Sequence, residues 1–320
     1  MKKIRAAVIG AGYLGRFHAQ KYAAHGDVEL VAVVDPSAER RQAVARELGC
    51  EALADIGSLL GRVEAVSVAT PTPAHFNIAR EFLLAGTHVL VEKPITVSAA
   101  DARELIGLAE QQRVVLQVGH LERFNPAILA VDPHVSQPRF IESQRLAPFR
   151  ERGTDVNVVL DLMIHDLDIV LSLVRSDIVA LEAIGTAVFS PQIDIANARL
   201  RFANGCVANI TASRVSLKTE RKLRMFEDAA YLSLDLQQRI LTLIRRRDGA
   251  PTADELPVAI EEQSFPAGDA LAAEIDSFLR CIATGTAPLV GGADGLRALE
   301  AALRITELVQ SGVSDRGPAR

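Results

Sequence analysis

Cysteine is scarce in this chain. Cys50, Cys206 and Cys281 are the only three among 320 residues, and none has a partner at disulfide or zinc-finger spacing. That count excludes a disulfide framework and suits buried thiols in a reducing compartment. Long apolar runs are lacking too: none approaches the ~20 residues that cross a bilayer, so no membrane insertion is expected. Met1-Lys2-Lys3 and the apolar run after it have the outline of a signal peptide. Glycines break the run, and Arg16 and His18 follow at once, so a first β-strand is the reading. There is no excess of positive charge. Thirty-five Lys and Arg stand against 40 Asp and Glu, a net charge of −5, which argues against nucleic acid as a partner. Repeats and low-complexity segments are absent as well. What remains is 49% hydrophobic and 23% charged, the composition of a soluble, cytoplasmic protein long enough for two domains.

Residues 1–120 alternate β-branched runs (Ile4–Ile9, Glu29–Val34, Ala65–Ala69, His88–Val91, Val114–Val118) with helical patterns over 14–25, 38–49, 74–85 and 98–112. This alternation predicts βαβ units, an α/β Rossmann domain with a doubly wound parallel sheet. Beyond 120 the rhythm changes. An apolar helix over 159–174 precedes strand-like runs at 178–188, 194–203, 206–214, 222–226, 230–236 and 239–244, with the hairpin signal Asn204-Gly205 between two of them. A second domain over 121–320 is expected, α+β with an open, mainly antiparallel sheet covered by helix on one face. Two helices, 270–283 and 293–311, close the chain and are free to pack back on the first domain. The tail from 311 is expected to fray.

Gly10, Gly12 and Gly15 follow the first strand and open the first helix, the context that gives a glycine fingerprint its meaning. Their missing side chains permit a tight turn, close approach of a pyrophosphate, and helix–strand packing. Tyr13 and Leu14 lie between them, and the helix start adds free N–H donors. Asp35 ends the second strand, 20 residues after Gly15. There a carboxylate accepts hydrogen bonds from a ribose diol and repels a 2′-phosphate, so NAD is preferred over NADP. Arg40 and Arg41, a helical turn further on, would still suit a phosphate.

Lys93 follows the strand run ending at Glu92 and precedes Pro94. It therefore stands beyond a carboxyl strand end, where doubly wound sheets bind ligands. The proline forbids helical geometry at Lys93 and makes a rigid turn, cis or trans. Thr70-Pro71-Thr72-Pro73 with His75 form another stiff loop at a strand end, suited to wall a nicotinamide pocket. His18, His25, His88 and His134 show no partner pattern and read as structural or exposed.

In a helix over 159–174, Asp161, His165, Asp168 and Ser172 share an arc of roughly 60°, while Asp166 points elsewhere. Nearly every other position is Leu, Ile, Val or Met. Unpaired charge in so apolar a helix costs several kcal/mol, so the stripe needs a polar partner, a cavity or a ligand. Three readings stay open. One is a self-satisfied core network. Another is a metal site, against which no further His, Cys or acid stands at ligand spacing; no metal is expected. The third is an acid/base pair lining a substrate cleft, with His165 taking a hydroxyl proton and Asp161 steadying the ring.

With Gly10–Gly15, Thr70-Pro71 and His75, Glu92-Lys93-Pro94, and Asp161-x-x-x-His165 in place, the chain resembles the Gfo/Idh/MocA oxidoreductase family over essentially its whole length. The resemblance implies a Rossmann domain, a second α/β domain whose sheet drives homodimer or homotetramer formation, and substrate bound between the two. It further implies that Lys93 contacts the reacting oxygen, that His165 is the general acid/base and that Asp161 supports it. The glycine-rich lead-in usual before the Asp-x-x-x-His motif is replaced by Thr154–Val159. Gly119–Pro126 and Asp155–Asp168 look like the branch that oxidises C3 of UDP-N-acetylglucosamine, preparing a 3-keto nucleotide sugar for amination toward amide-linked lipid A. A UDP diphosphate calls for cations, and Arg123, Arg145, Arg150 and Arg152, with Asn125, flank the cleft segments. The family also holds dehydrogenases of free sugars, inositols and nucleotide-linked uronic acids, NAD-retaining glycosidases, and non-catalytic regulators, which tend to lose the lysine or the histidine.

Overall fold

The computed structural model describes residues 3–150, 156–247 and 257–314. They divide into two compact units. The first holds the chain up to Phe124 together with Asp269–Leu299; the second holds Asn125–Gly268 and the chain from Glu300.

The first unit starts with β1 (Ile4–Ile9), α1 (Tyr13–Ala24), β2 (Val28–Val34), α2 (Ala38–Leu48), β3 (Glu51–Leu53), β4 (Ala65–Val68), α3 (His75–Leu84), β5 (His88–Glu92), α4 (Ala99–Gln112) and β6 (Leu116–Gly119). The strands pair in the order β3-β2-β1-β4-β5-β6, every pair parallel, the arrangement of the dinucleotide-binding α/β fold. Ala6–Ile9, Ala65, Val66, Val68 and Val89–Val91 are buried without alternation, as expected of strands covered on both faces. Serines start two of the helices: Ser37 Oγ accepts from Arg40 N, and Ser98 Oγ from Asp101 N. Gly49 ends α2 at φ +70°, where a side chain would be strained.

The second unit contains α5 (Pro126–Val131), β7 (Phe140–Leu146), α6 (Ile164–Val174), and β8 (Ile178–Thr186), β9 (Ile195–Phe202), β10 (Val207–Ser213), β11 (Glu220–Phe226), β12 (Ala230–Asp235), β13 (Ile240–Arg246) and β14 (Val258–Ser264). These strands form an eight-stranded sheet ordered β14-β13-β12-β11-β7-β10-β9-β8. It is antiparallel except where β7 runs parallel to β10. Alternate residues along β9 and β10 (Ala196, Ala198, Leu200; Ala208, Ile210, Ala212) are buried, and α6 covers β7 and β10.

The chain closes with α7 (Ala270–Thr284) and α8 (Gly292–Ser314). Ile275, Phe278 and Leu279 of α7 join the core of the first unit beside Ala19, Tyr22 and Leu90. The division between the units falls within α8, after Leu299.

β3, β7, β14 and α5 were not expected from the sequence. β7 escapes because its inward positions include Ser143 and Arg145, which invert the usual alternation. The predicted helix over 159–174 is present, but it opens with a π turn at Val159–Met163. That wider turn breaks the regular 100° spacing on which the polar stripe was reckoned.

Candidate active site

At the end of β1 the chain turns sharply. Gly10 has φ +99°, and a Cβ there would stand 2.5 Å from the Ala69 carbonyl oxygen; at Gly15 it would stand 1.8 Å from the Gly10 oxygen. Both positions exclude side chains. Gly12 differs, because a Cβ there would meet nothing within 4 Å, so the surface above it is open. Gly12 also starts α1 with no side-chain cap and no acid in the first turn, leaving amides directed at an approaching anion. Tyr13 and Leu14 are exposed, and the Tyr13 ring meets Phe17 edge-on at 5.0 Å.

Asp35 is buried at the end of β2. Its Oδ2 accepts from Ala11 N at 2.9 Å and its Oδ1 from Ser37 N at 2.8 Å. The carboxylate thus ties the glycine loop to α2, with lone pairs to spare for hydroxyl donors. Arg41 Nη1 donates to the Asp35 and Pro36 carbonyls, whereas Arg40 is exposed.

Two loops follow at the carboxyl edge of the sheet. The His75 ring is buried and bridges them: Nε2 lies 2.8 Å from Thr70 O and Nδ1 2.9 Å from Pro94 O. The imidazole therefore staples the Thr70-Pro71 loop to the Lys93-Pro94 turn, whose peptide bond is cis. Thr70 Oγ1 is buried with no hydrogen-bond partner, an orphan donor and acceptor in a loop that faces the expected cofactor. Open space over Gly12, uncapped amides on α1, a braced carboxylate at Asp35 and this hydroxyl together fit a dinucleotide.

Lys93 is half-buried. Beside it, Glu92 Oε1 lies 2.9 Å from His18 Nε2. Burial raises the Glu92 pKa, but the His18 hydrogen bond and the nearby Lys93 charge outweigh it and hold the carboxyl below its ordinary range. His120, just past β6, is pushed the other way, from 6.5 to about 3, by burial and by the cations Lys93 and Arg123. It is a neutral side chain next to a charged lysine. His18 itself is buried, with Nδ1 3.1 Å from Ser67 Oγ; the sequence offered no partner for it.

On the second unit, Asn157 caps the Asp161–His165 helix, its Oδ1 accepting from Val159 N and Leu160 N. Along that helix Asp166 and Asp168 are buried, while Asp161 and His165 remain partly exposed. Of the titratable residues on this helix, the two that remain partly exposed are thus the two expected to carry proton transfer. Asp166 accepts from Ser143 Oγ at 2.8 Å and from Arg145 Nε at 2.6 Å.

Three of the expected substrate contacts are placed otherwise or lie outside view. Arg145 is only 3% exposed and its guanidinium is committed to Asp166. Asn125 caps α5 through Oδ1 and donates from Nδ2 to Leu236 O. Arg152 lies outside the described residues. Arg123, half-buried, donates weakly to Leu289 O at 3.5 Å, and Arg150 is exposed.

This fold and this loop define an oxidoreductase with a dinucleotide-binding domain. Residues 4–120 match the description "Oxidoreductase family, NAD-binding Rossmann fold" and residues 127–231 the Gfo/Idh/MocA C-terminal domain; the chain belongs to the Gfo/Idh/MocA family. It is 42% identical to a UDP-N-acetylglucosamine 3-dehydrogenase of Acidithiobacillus ferrooxidans over 97% of this chain and 99% of that one. A solved structure of that enzyme superposes with a TM-score of 0.91 at 41% identity, covering 97% and 99% of the two chains. An inositol 2-dehydrogenase of Rhizobium meliloti is 26% identical over 92% of this chain and 94% of its own. Among the described residues, no helix is long and apolar enough to cross a membrane.

Proposed function

We propose that the protein is a cytoplasmic, NAD-dependent dehydrogenase that oxidises a secondary sugar hydroxyl, C3 of a UDP-N-acetylhexosamine such as UDP-N-acetylglucosamine. The observation that carries this is the stapled turn: His75 fixes Lys93-Pro94 to the Thr70 loop at the carboxyl edge of a dinucleotide-binding sheet. The similarity to the Acidithiobacillus enzyme supplies the substrate class.

Bound NAD⁺ supplies the hydride acceptor. Gly10, Gly12, Gly15 and the first amides of α1, including those of Tyr13 and Leu14, hold its pyrophosphate. Asp35 accepts from the ribose diol and disfavours a 2′-phosphate. Thr70, Pro71, His75, Glu92 and Lys93 would wall its nicotinamide end. The Lys93 ammonium donates to the substrate oxygen and stabilises negative charge as the carbonyl forms. His165 takes the hydroxyl proton through its imidazole, and Asp161 steadies the resulting cation. Arg123 and Arg150 remain candidates for the diphosphate; Arg145 and Asn125 support the fold of the second unit. The apolar side chains Val179, Ile184 and Ile260, exposed on the second sheet, support a homodimer or homotetramer.

The test is NADH formation by purified protein across UDP-sugars, free sugars and inositols. Turnover with UDP-N-acetylglucosamine and a 3-keto product are expected. NADH from inositols or free polyols with none from any UDP-sugar would overturn the substrate assignment.

A further inference from the structure

Beside Glu92, the residue before Lys93, lies a buried group with no part in the proposed hydride transfer. Glu274 of α7 is 0% exposed, and neither carboxyl oxygen has a hydrogen-bond partner. It points into a cluster in which one of its oxygens, a Glu92 oxygen and a ring nitrogen of His18 lie within 4.8 Å of one another. Gln117 of β6 donates to the Glu274 backbone carbonyl at 3.0 Å, while its own Oε1 is buried without a partner. A Cβ at Gly119 would lie 3.1 Å from Glu92 Oε2, so the bare glycine is what admits the Glu92 side chain here.

We propose that Glu274 is a buried neutral carboxylic acid whose one proton closes the chain Tyr22–Ser67–His18–Glu92–Glu274, and that it is a positioning residue for Lys93. This rests on the assignment of Lys93 to the substrate oxygen. A Glu92 oxygen only accepts, so His18 Nε2 carries the hydrogen between them. With that hydrogen on Nε2, Nδ1 is the acceptor for Ser67 Oγ, and Tyr22 Oη, 2.9 Å from Ser67, donates to Ser67. Burial raises the Tyr22 pKa above its ordinary value, so the first proton of the chain is secure.

Two carboxylates cannot both ionise at such range in a dry interior. Glu92 has the His18 donor and the Lys93 charge, whereas Glu274 has burial and Glu92 against it, and both push its pKa well up. The proton therefore belongs to Glu274, which becomes the donor this pocket of acceptors lacks. A cation would serve the same oxygens. However, the 2.9 Å approach of His18 Nε2 to Glu92 Oε1 is that of a hydrogen bond already made between the two.

The charged and titratable groups gathered around this pair of acids are His18 and Tyr22 on α1, Lys93 just after β5 and His75 on α3; His120, after β6, lies near Lys93. A single negative charge on Glu92 leaves Lys93 one counter-ion; a second would draw the ammonium back from the substrate.

The test is infrared difference spectroscopy of the NAD-bound protein, wild type against Glu274→Gln. A carboxylic-acid C=O band is expected in the wild type at neutral pH and should be missing from the variant. Glu274→Ala should lower Tm by about 5–10 °C and reduce kcat with unchanged NAD affinity, and Glu274→Gln, neutral and still a donor, should restore both. The inference is overturned by a wild-type spectrum without the band, by a Gln variant as damaged as the Ala variant, or by one equivalent of bound transition metal that Glu274→Gln abolishes. A band present in a protein that oxidises no sugar would retain the buried acid and refute the role of Lys93. Full turnover without the band does the reverse.

Discussion

The buried arginine–acid pairs of the second unit and the glutamate cluster of the first are built differently. In the second, each buried arginine has its own acid. Arg145 is paired with Asp166, and Arg214 Nε donates to Asp194 Oδ1 at 2.8 Å. Hydroxyls and amides occupy the remaining lone pairs: Ser143 on Asp166, and Ser190 with the Val188, Phe189 and Ser190 amides on Asp194. In the first unit, two glutamates are gathered with His18, and Thr70 Oγ1 and Gln117 Oε1 are buried without a partner. A saturated network can only hold a fold. A network with spare capacity awaits a proton or a ligand, and here it adjoins the cofactor loops.

Breaking this contrast starts at the reacting groups. Lys93→Ala and His165→Ala should each lower kcat by roughly 10²–10⁴ while calorimetry finds NAD bound as tightly as before; turnover near wild type in either would remove that residue from the mechanism. Comparable in energy but different in kind, Asp166→Ala should strand a buried guanidinium and cost about 3–5 kcal/mol in urea unfolding. The pair Arg145→Met with Asp166→Leu should recover most of that loss. Substrate affinity that collapses in this pair despite recovered stability would return Arg145 to the substrate site.

Acid sharpens the contrast further. Folded His120 stays neutral down to about 3, whereas the unfolded chain takes up a proton near 6.5. Between those values the unfolded state binds more protons, so stability falls as the pH drops through the window. Thermal unfolding on the two sides of 6.5 should show a slope that His120→Gln flattens. Asp35→Ser should have the smallest effect, weakening NAD by about tenfold through one charge-assisted hydrogen bond and narrowing the preference over NADP, as titration with both dinucleotides would report.

How much of this was legible beforehand follows the same division. β1 and the glycine loop are written in local sequence, because backbone chemistry at Gly10 and Gly15 admits no alternative. The Asp161–His165 helix was legible as a buried element with a polar stripe. Its π turn was not, since nothing in Val159–Met163 marks a wider turn. Arg145 was expected at the diphosphate because its sequence shows only a cation near the cleft segments; the packing of β7 under α6 turns it inward onto Asp166. His18 and Glu274 escaped for a related reason. Each partner lies far along the chain, 74 residues for His18 and Glu92. Glu274 did leave a trace, because it shares a helix face with Leu271, Ile275 and Phe278, which pack in the core of the first unit.

The central claim is that Lys93 and His165 act on one sugar carbon. A crystal structure with NAD and UDP-N-acetylglucosamine bound tests it most directly. The account predicts the C3 hydroxyl within hydrogen-bonding reach of both the Lys93 ammonium and the His165 imidazole, with C3 facing the nicotinamide. Density that places another carbon there, or that leaves either side chain remote from the sugar, would contradict it.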